Sequence, residues 1–241
     1  MANSSATEYG DDCVLMLHMN GADASTTFTD SSDTAHTITA VGGAQIDTAQ
    51  SKFGSASGLF DGAGDYLTAA DHADWDFGTG DFTIDFWLRF NSAGAAYFVD
   101  REDSARFAVR YGGGNLRFDI GGGSVVSQAW SPSNGVWYHI AATRSGTNCY
   151  LFVDGTQHGS TGSSSFNISF TTGIGVGASS TGTQPVNGWM DEVRIVKGQA
   201  IWTANFTPPS AEYVADGAGG GGDLSVLGRR PIRSLYRGVM R

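Results

Sequence analysis

The chain has 241 residues, 35 of them glycine, and a formal net charge of −10. With two lysines and four glutamates it lacks the residues that favour exposed helix faces, which excludes a helical bundle and leaves short strands joined by turns. So acidic a body also excludes nucleic acid as a partner, because phosphate affinity comes from clustered Lys and Arg.

Residues 1–11 read as an N-terminal arm with no basic stretch. The apolar run CVLMLHM that follows is too short for a signal-peptide core or a membrane span. The expectation is a chain without a signal peptide or transmembrane segment. Period-two alternation places Cys13, Leu15, Leu17 and Met19 on one strand face. NGADASTTFTDSSD then supplies loop carboxylates at Asp23, Asp30 and Asp33. LFDGAGDYLTAA reads as strand, and DHADWDFG as a turn whose acids form Asx contacts and a solubilising surface.

DFTIDFWLRF sets Phe82, Ile84, Phe86, Leu88 and Phe90 against Thr83, Asp85, Trp87 and Arg89, a strand with one core face and one mixed face. ARFAVRYG and NLRFDIG continue the strand series. A hairpin follows in which Trp137 to Arg144 run out, SGTN turns, and Cys149 to Val153 return; Asp154 and Gly155 open the next tight turn. GIGVGA and GWMDEVRIVKG complete roughly ten antiparallel strands, which need two sheets packed face to face to bury alternate faces. The fold expected is all-β, an antiparallel two-sheet jelly-roll sandwich over residues 12–214.

The chemistry-bearing residues are sparse. Cys13 and Cys149 read as two buried thiols, with one long-range disulfide as the alternative. Five scattered histidines read as strand or surface residues. Trp87, Trp137, Tyr150 and Phe152 read as sheet packing, which leaves Trp75, Trp130 and Trp202, near turns, as the candidate exposed platforms for a glycan. Asp191 and Glu192 are adjacent in a strand and so are expected on opposite faces.

The C-terminus differs in kind. Residues 215–223 form a Gly-rich linker, and residues 224–241 hold Arg229, Arg230, Arg233, Arg237 and Arg241. As a helix, that tail would place Ile232, Leu235, Tyr236 and Val239 on one face and its arginines on another. Too short to hold alone, it reads as an anchoring peptide that orders against a protein partner, with membrane contact ranked below that.

Three segments taken in order, SKFGSASGLFDGAGDYLTAADHADWDFGTGDFTIDFWLRF, GVWYHIAATRSGTNCYLFVDGTQ and NGWMDEVRIVKGQAIWTANFTPP, resemble the laminin-G-like, concanavalin A-type jelly rolls. RIVKGQAIWTANFTPP resembles the version found in bacteriophage tail, fibre and other virion proteins. The resemblance implies a non-catalytic virion display protein, a capsid decoration or tail-associated part. It would present a carbohydrate- or protein-binding jelly roll and be anchored to other virion proteins by its tail. Self-association stays open, and the alternative is a free or surface lectin that binds host glycans with calcium. Related β-glucanases carry an E-x-D-x-E strand, which Glu8, Glu102, Glu192 and Glu212 do not reproduce, so no catalytic residues and no enzymatic activity are expected. The resemblance also places the N-terminal segment near the strand carrying Asp191, which implies one structural Ca²⁺ drawing on Asp23, Asp30 and Asp191; the alternative is that these carboxylates cap turns.

Overall fold

The computed structural model describes residues 8–101 and 107–215. The anchoring peptide at 224–241, linker residues 216–223 and arm residues 1–7 lie outside the described residues. The first six strands are β1 (Glu8–Tyr9), β2 (Cys13–Leu17), β3 (Thr39–Val41), β4 (Gln45–Asp47), β5 (Ser57–Asp61) and β6 (Tyr66–Ala69). After a single 3-10 turn at Ala73–Trp75 come β7 (Phe82–Phe90), β8 (Ala96–Arg101), β9 (Phe107–Gly112), β10 (Asn115–Ile120), β11 (Gly123–Ala129) and β12 (Trp137–Ser145). The last six are β13 (Asn148–Val153), β14 (Thr156–Gln157), β15 (Gly162–Ser163), β16 (Ile174–Val176), β17 (Asn187–Lys197) and β18 (Val214–Ala215).

They form two large antiparallel sheets. One runs β11-β10-β9-β8-β16-β6-β3; the other runs β14-β13-β12-β7-β17-β5-β4, with β15 beside β13 and β2 beside β17. A short parallel pair joins β1 to β18, the first and last described strands. The expected sandwich is therefore present, and its core follows from alternation. Phe82, Ile84, Phe86, Leu88 and Phe90 of β7 are all fully buried. They meet the second sheet ring to ring, Phe86 on Phe98 at 5.5 Å, Phe82 on Phe107 at 5.4 Å and Phe82 on Phe118 at 6.0 Å. Burying each such side chain is worth about 1.5–3 kcal/mol, so this one strand face anchors much of the fold.

The β12–β13 hairpin pairs Arg144 with Cys149 and Ser145 with Asn148, as its sequence predicts. Asp154 (φ 49°) and Gly155 (φ 74°) then make the tight turn into β14. Gly155 is required twice over, since a Cβ there would lie 2.0 Å from the carbonyl oxygen of Phe206. Both cysteines are free and buried, and burial pushes the Cys13 thiol up to about 12 and the Cys149 thiol up to about 11.

Two sequence expectations change at β17. Its register with β2 shifts between Ile195 and Val196, so Cys13 leaves the face of Leu15 and Leu17 and packs with Met16 and Tyr213. A second bulge between Asp191 and Arg194, with Glu192 at φ 50°, breaks the alternation that should have put Asp191 and Glu192 on opposite faces. Met190 and Val193 both enter the core, and the two carboxylates between them turn outward together.

The outer face of the nine-stranded sheet is itself partly covered. Residues 199–213 run back across it, stapled where the Thr83 hydroxyl donates to the Gln199 carbonyl and the Phe206 amide to the Gly155 carbonyl. Trp202 stacks on Phe206 at 4.1 Å over Phe152 and Ala141. Beneath this strap lies a wholly buried ionic network. Arg194 Nε donates to Asp85 Oδ1 at 2.9 Å, the Tyr213 hydroxyl donates to Asp85 Oδ2, and His139 Nε2 lies 3.3 Å from the same oxygen.

Candidate functional site

Among the uncovered parts of that outer face is one cross-strand row. Register places Gln45 opposite Leu59, Leu59 opposite Trp189, Trp189 opposite Arg89, and Arg89 opposite Trp137, across β4, β5, β17, β7 and β12. All five are part-exposed, and the four on β4, β5, β17 and β7 each occupy an outward position between neighbours that are buried. The indole N–H of Trp189 donates to Asp47 Oδ2 at 2.6 Å, which fixes the ring edge-on to a carboxylate. The Arg89 guanidinium sits 4.8 Å from the Trp189 ring centre, and its Nε donates to the Gly135 carbonyl at 3.2 Å. Among the described residues Arg89 has no carboxylate partner, although the chain carries 24 acidic residues.

A flat aromatic face beside a planar, unpaired cation is suited to a neutral or acidic sugar: the C–H face of a pyranose packs on indole, and hydroxyl or carboxylate oxygens accept from guanidinium N–H groups. The rim adds amides, with Asn91 Nδ2 donating to Asn187 Oδ1 at 3.0 Å and Asn134 accepting from the Ala93 amide at 2.9 Å.

The three tryptophans expected as platforms do not serve as such. Trp75 is fully buried, donating its indole N–H to the Ala70 carbonyl beneath the His36 ring. Trp130 packs edge-on against Tyr111 and Tyr138 at 5.6 and 5.3 Å, and Trp202 lies inside the strap. Proximity to a turn misled, because long loops fold back over the sheets and bury their aromatics. Trp137, expected as packing, is part-exposed, and Trp189, which the sequence did not single out, is part-exposed as well. The available signal was alternation, which sets Trp189 on the face opposite Met190.

Nor do the carboxylates expected to share calcium converge. Asp23 is exposed and accepts from the Thr48 amide and hydroxyl. Asp30 is buried and occupied by the amides of Met16, Ser32 and His36 and the hydroxyl of Ser32. Asp191 accepts the amides of Lys52 and Phe53 on Oδ2, at 2.7 and 3.1 Å, while its buried Oδ1 has no partner. Each behaves as a loop-fixing acceptor, and among the described residues none of the three belongs to a group of three or more His, Cys, Asp or Glu side chains whose ligand atoms converge. Burial raises the Asp191 carboxyl to about 8 despite those two amides. Glu192 bonds His18 Nδ1 at 2.8 Å and the Tyr213 amide at 2.7 Å, and burial raises its pKa as well. The one ligand-type cluster among the described residues is His36, His72 and Asp74, which sequence spacing did not connect.

Residues 61–200 match a laminin-G-type family profile described as the concanavalin A-like lectin/glucanases superfamily. Comparison with curated proteins finds no match. Among solved structures the chain resembles the binding domain of Paraclostridial Mosquitocidal Protein 1 (TM-score 0.62, 18% identity, 79% of this chain and 49% of that one). It also resembles domain 4 of AbnA, an extracellular arabinanase of Geobacillus stearothermophilus, in complex with arabinotriose (TM-score 0.59, 16% identity, 78% and 94%). A third is the receptor binding domain of botulinum neurotoxin D (TM-score 0.60, 12% identity, 79% and 50%). The chain therefore spans about half the length of the toxin binding domains and nearly all of the arabinanase domain.

Proposed function

Because the chain belongs to the concanavalin A-like lectin/glucanase superfamily, with over half its length matched, we propose that it is a non-catalytic carbohydrate-binding module that reads its ligand on the Trp189–Arg89–Trp137 row. The observation that carries this is the part-exposed Arg89, which has no carboxylate partner among the described residues, flanked by two outward tryptophans on a partly covered sheet face. The solved complex of the arabinanase domain with arabinotriose supports a saccharide as the ligand class. Absence of catalysis is supported by Glu192, the one strand glutamate beside a second carboxylate, being committed to His18 and a backbone amide. A glycan array probed with the full chain, followed by calorimetry with the best saccharide, tests the reading. Trp189→Ala and Arg89→Met should each weaken binding by about tenfold or more, as lost stacking and charge-assisted hydrogen bonds would. Failure of the native chain to bind any saccharide, or unchanged affinity in both variants, removes it.

We also propose that this module is displayed on a bacteriophage particle, on the strength of the resemblance carried by residues 194–209. Its Arg-rich C-terminal peptide would anchor it to another virion protein. Mass spectrometry of purified particles should find the chain, at hundreds of copies for a capsid decoration or a few dozen for a tail part; its absence from particles leaves the free lectin as the better reading.

A further inference from the structure

Near Lys197, at the end of β17 away from Trp189, where the Lys197 ammonium donates to the Ala73 carbonyl at 2.6 Å, two loops bring together three side chains with no role in the aromatic row. The loop between β2 and β3 supplies His36, and the segment between β6 and β7 supplies His72 and Asp74. His36 Nε2 lies 3.0 Å from Asp74 Oδ2, and His72 Nδ1 lies 3.2 Å from the same oxygen; all three ligand atoms fall within 4.8 Å of one another. A tetrahedral Zn²⁺ with ligand bonds of about 2.0–2.1 Å holds its ligand atoms roughly 3.4 Å apart, so little movement would seat one.

The ligand atoms are held from behind. His36 rests on the buried Trp75 ring at 4.5 Å, and its backbone amide donates to the buried Asp30 carboxylate at 2.8 Å. Thr34 Oγ1 donates to Asp74 Oδ2 at 2.8 Å. Flanking Asp71 and Asp76 are both clamped by the buried Arg101, at 2.6 and 2.8 Å. The Asp74 amide donates to His72 Nδ1 at 3.2 Å, which leaves that nitrogen unprotonated, and a metal ion would take over its lone pair from the amide. Such outer contacts are what orient metal ligands and fix their tautomers.

We propose that His36, His72 and Asp74 form a binding site for one divalent transition metal of the zinc class, with solvent completing the coordination. Two imidazoles and one carboxylate select borderline cations such as Zn²⁺, Co²⁺ and Ni²⁺ over Ca²⁺, which takes six to eight oxygens. His72 is about half exposed, which leaves the outer coordination positions open to water or to a ligand atom from a partner.

The test is calorimetric titration of metal-free full-length chain with Zn²⁺, beside Co²⁺ absorption to report coordination and Ca²⁺ as a control. One Zn²⁺ per chain is expected, with a visible Co²⁺ band that Zn²⁺ displaces and no matching response to Ca²⁺. His72→Ala, at an exposed position, and Asp74→Asn, which keeps side-chain shape, should each weaken Zn²⁺ binding by at least about tenfold, since loss of even an outer contact costs that much. Ni²⁺ should quench part of the tryptophan emission at one equivalent, and Trp75→Phe should remove that quenching. No stoichiometric Zn²⁺ binding, or binding unchanged in both His72→Ala and Asp74→Asn, overturns the assignment.

Discussion

Replacing Asp191 by Asn should stabilise the protein at neutral pH and do nothing of the kind in acid. Asp191 is fully buried on β17, with Oδ2 held by the Lys52 and Phe53 amides and Oδ1 without a partner. Burial, the dominant influence, lifts its carboxyl from 3.8 to about 8. The sign follows from linkage. Below about pH 4 both folded and unfolded chains carry the proton, and the side chain contributes no pH dependence. As pH rises toward 8 the unfolded chain ionises while the folded chain keeps its proton, so wild-type stability falls by up to about 1.4 kcal/mol per pH unit, then levels above 8. At pH 7 that loss amounts to about 2–4 kcal/mol, the upper figure being three pH units at full slope. Asn keeps an oxygen for the two amides and never ionises, so the variant should gain about 2–4 kcal/mol over wild type at pH 7 and match it, or fall slightly below, at pH 4. Urea denaturation of both proteins from pH 4 to pH 9 reads the difference directly. A stability difference that does not change across that range would show that Asp191 is ionised in the folded protein and refute the reasoning.

Asp85→Asn should cost about 3–5 kcal/mol by urea denaturation near neutral pH, because it removes the buried carboxylate to which Arg194 Nε donates at 2.9 Å. Burial opposes ionisation of Asp85, but Arg194, His139 and Tyr213 outweigh it and hold its carboxyl below the usual range. The stabilisation is present above the ordinary carboxylate value and is lost as pH falls through the lowered one, so the gap between wild type and variant should narrow in strong acid; a constant gap would exclude the ion pair as its source. Trp202→Ala should cost about 3–5 kcal/mol, as large-to-small changes at buried aromatics do, whereas Trp189→Ala should cost under about 1 kcal/mol while weakening saccharide binding by about tenfold or more. Equal destabilisation by the two would place Trp189 in the packing and not in a site. Gly155→Ala should cost about 2 kcal/mol or more, from positive φ and from the strap it would displace, and a neutral effect in thermal melts would contradict the 2.0 Å approach to Phe206.

Alternation is a local property and was legible wherever strands ran undisturbed. The β7 core face, the β12–β13 hairpin register and the turn at Gly155 all follow from it. It failed where a bulge inserts a residue: Glu192 at positive φ has no side chain that advertises that conformation, so nothing near it announced that Asp191 and Glu192 would turn the same way. Site residues were harder to read because their roles depend on what lies above them. Trp202 and Trp189 lie 13 positions apart in sequence, and the return of residues 199–213 over the sheet makes one a buried staple and leaves the other part-exposed. His36 and His72 met because Asp30 and Arg101 fix two separate loops side by side, a pairing that no spacing encodes.

The location of the aromatic row follows from the same accounting of the outer face. An antiparallel sheet exposed on one side would normally carry small polar residues there, yet β7 offers Thr83, Asp85, Trp87 and Arg89 in succession. Thr83 is taken by the strap's Gln199 and Ile201, and Asp85 by Arg194 and Tyr213. Trp87 is roofed by Lys52, whose ammonium sits 3.8 Å from its ring, and by Phe53 edge-on at 5.7 Å. Cover ends there, one outward position short of Arg89. The strap crosses toward Phe206 and Gly155, and the Lys52–Phe53 loop turns back at Asp191, so neither reaches the end of β7 where Arg89 meets Trp189 and Trp137. Stability is thus concentrated at one end of the outer face and vacancy at the other. An aromatic and cationic row in the less covered half contributes little to folding, which is the physical support for the proposal that it meets a ligand.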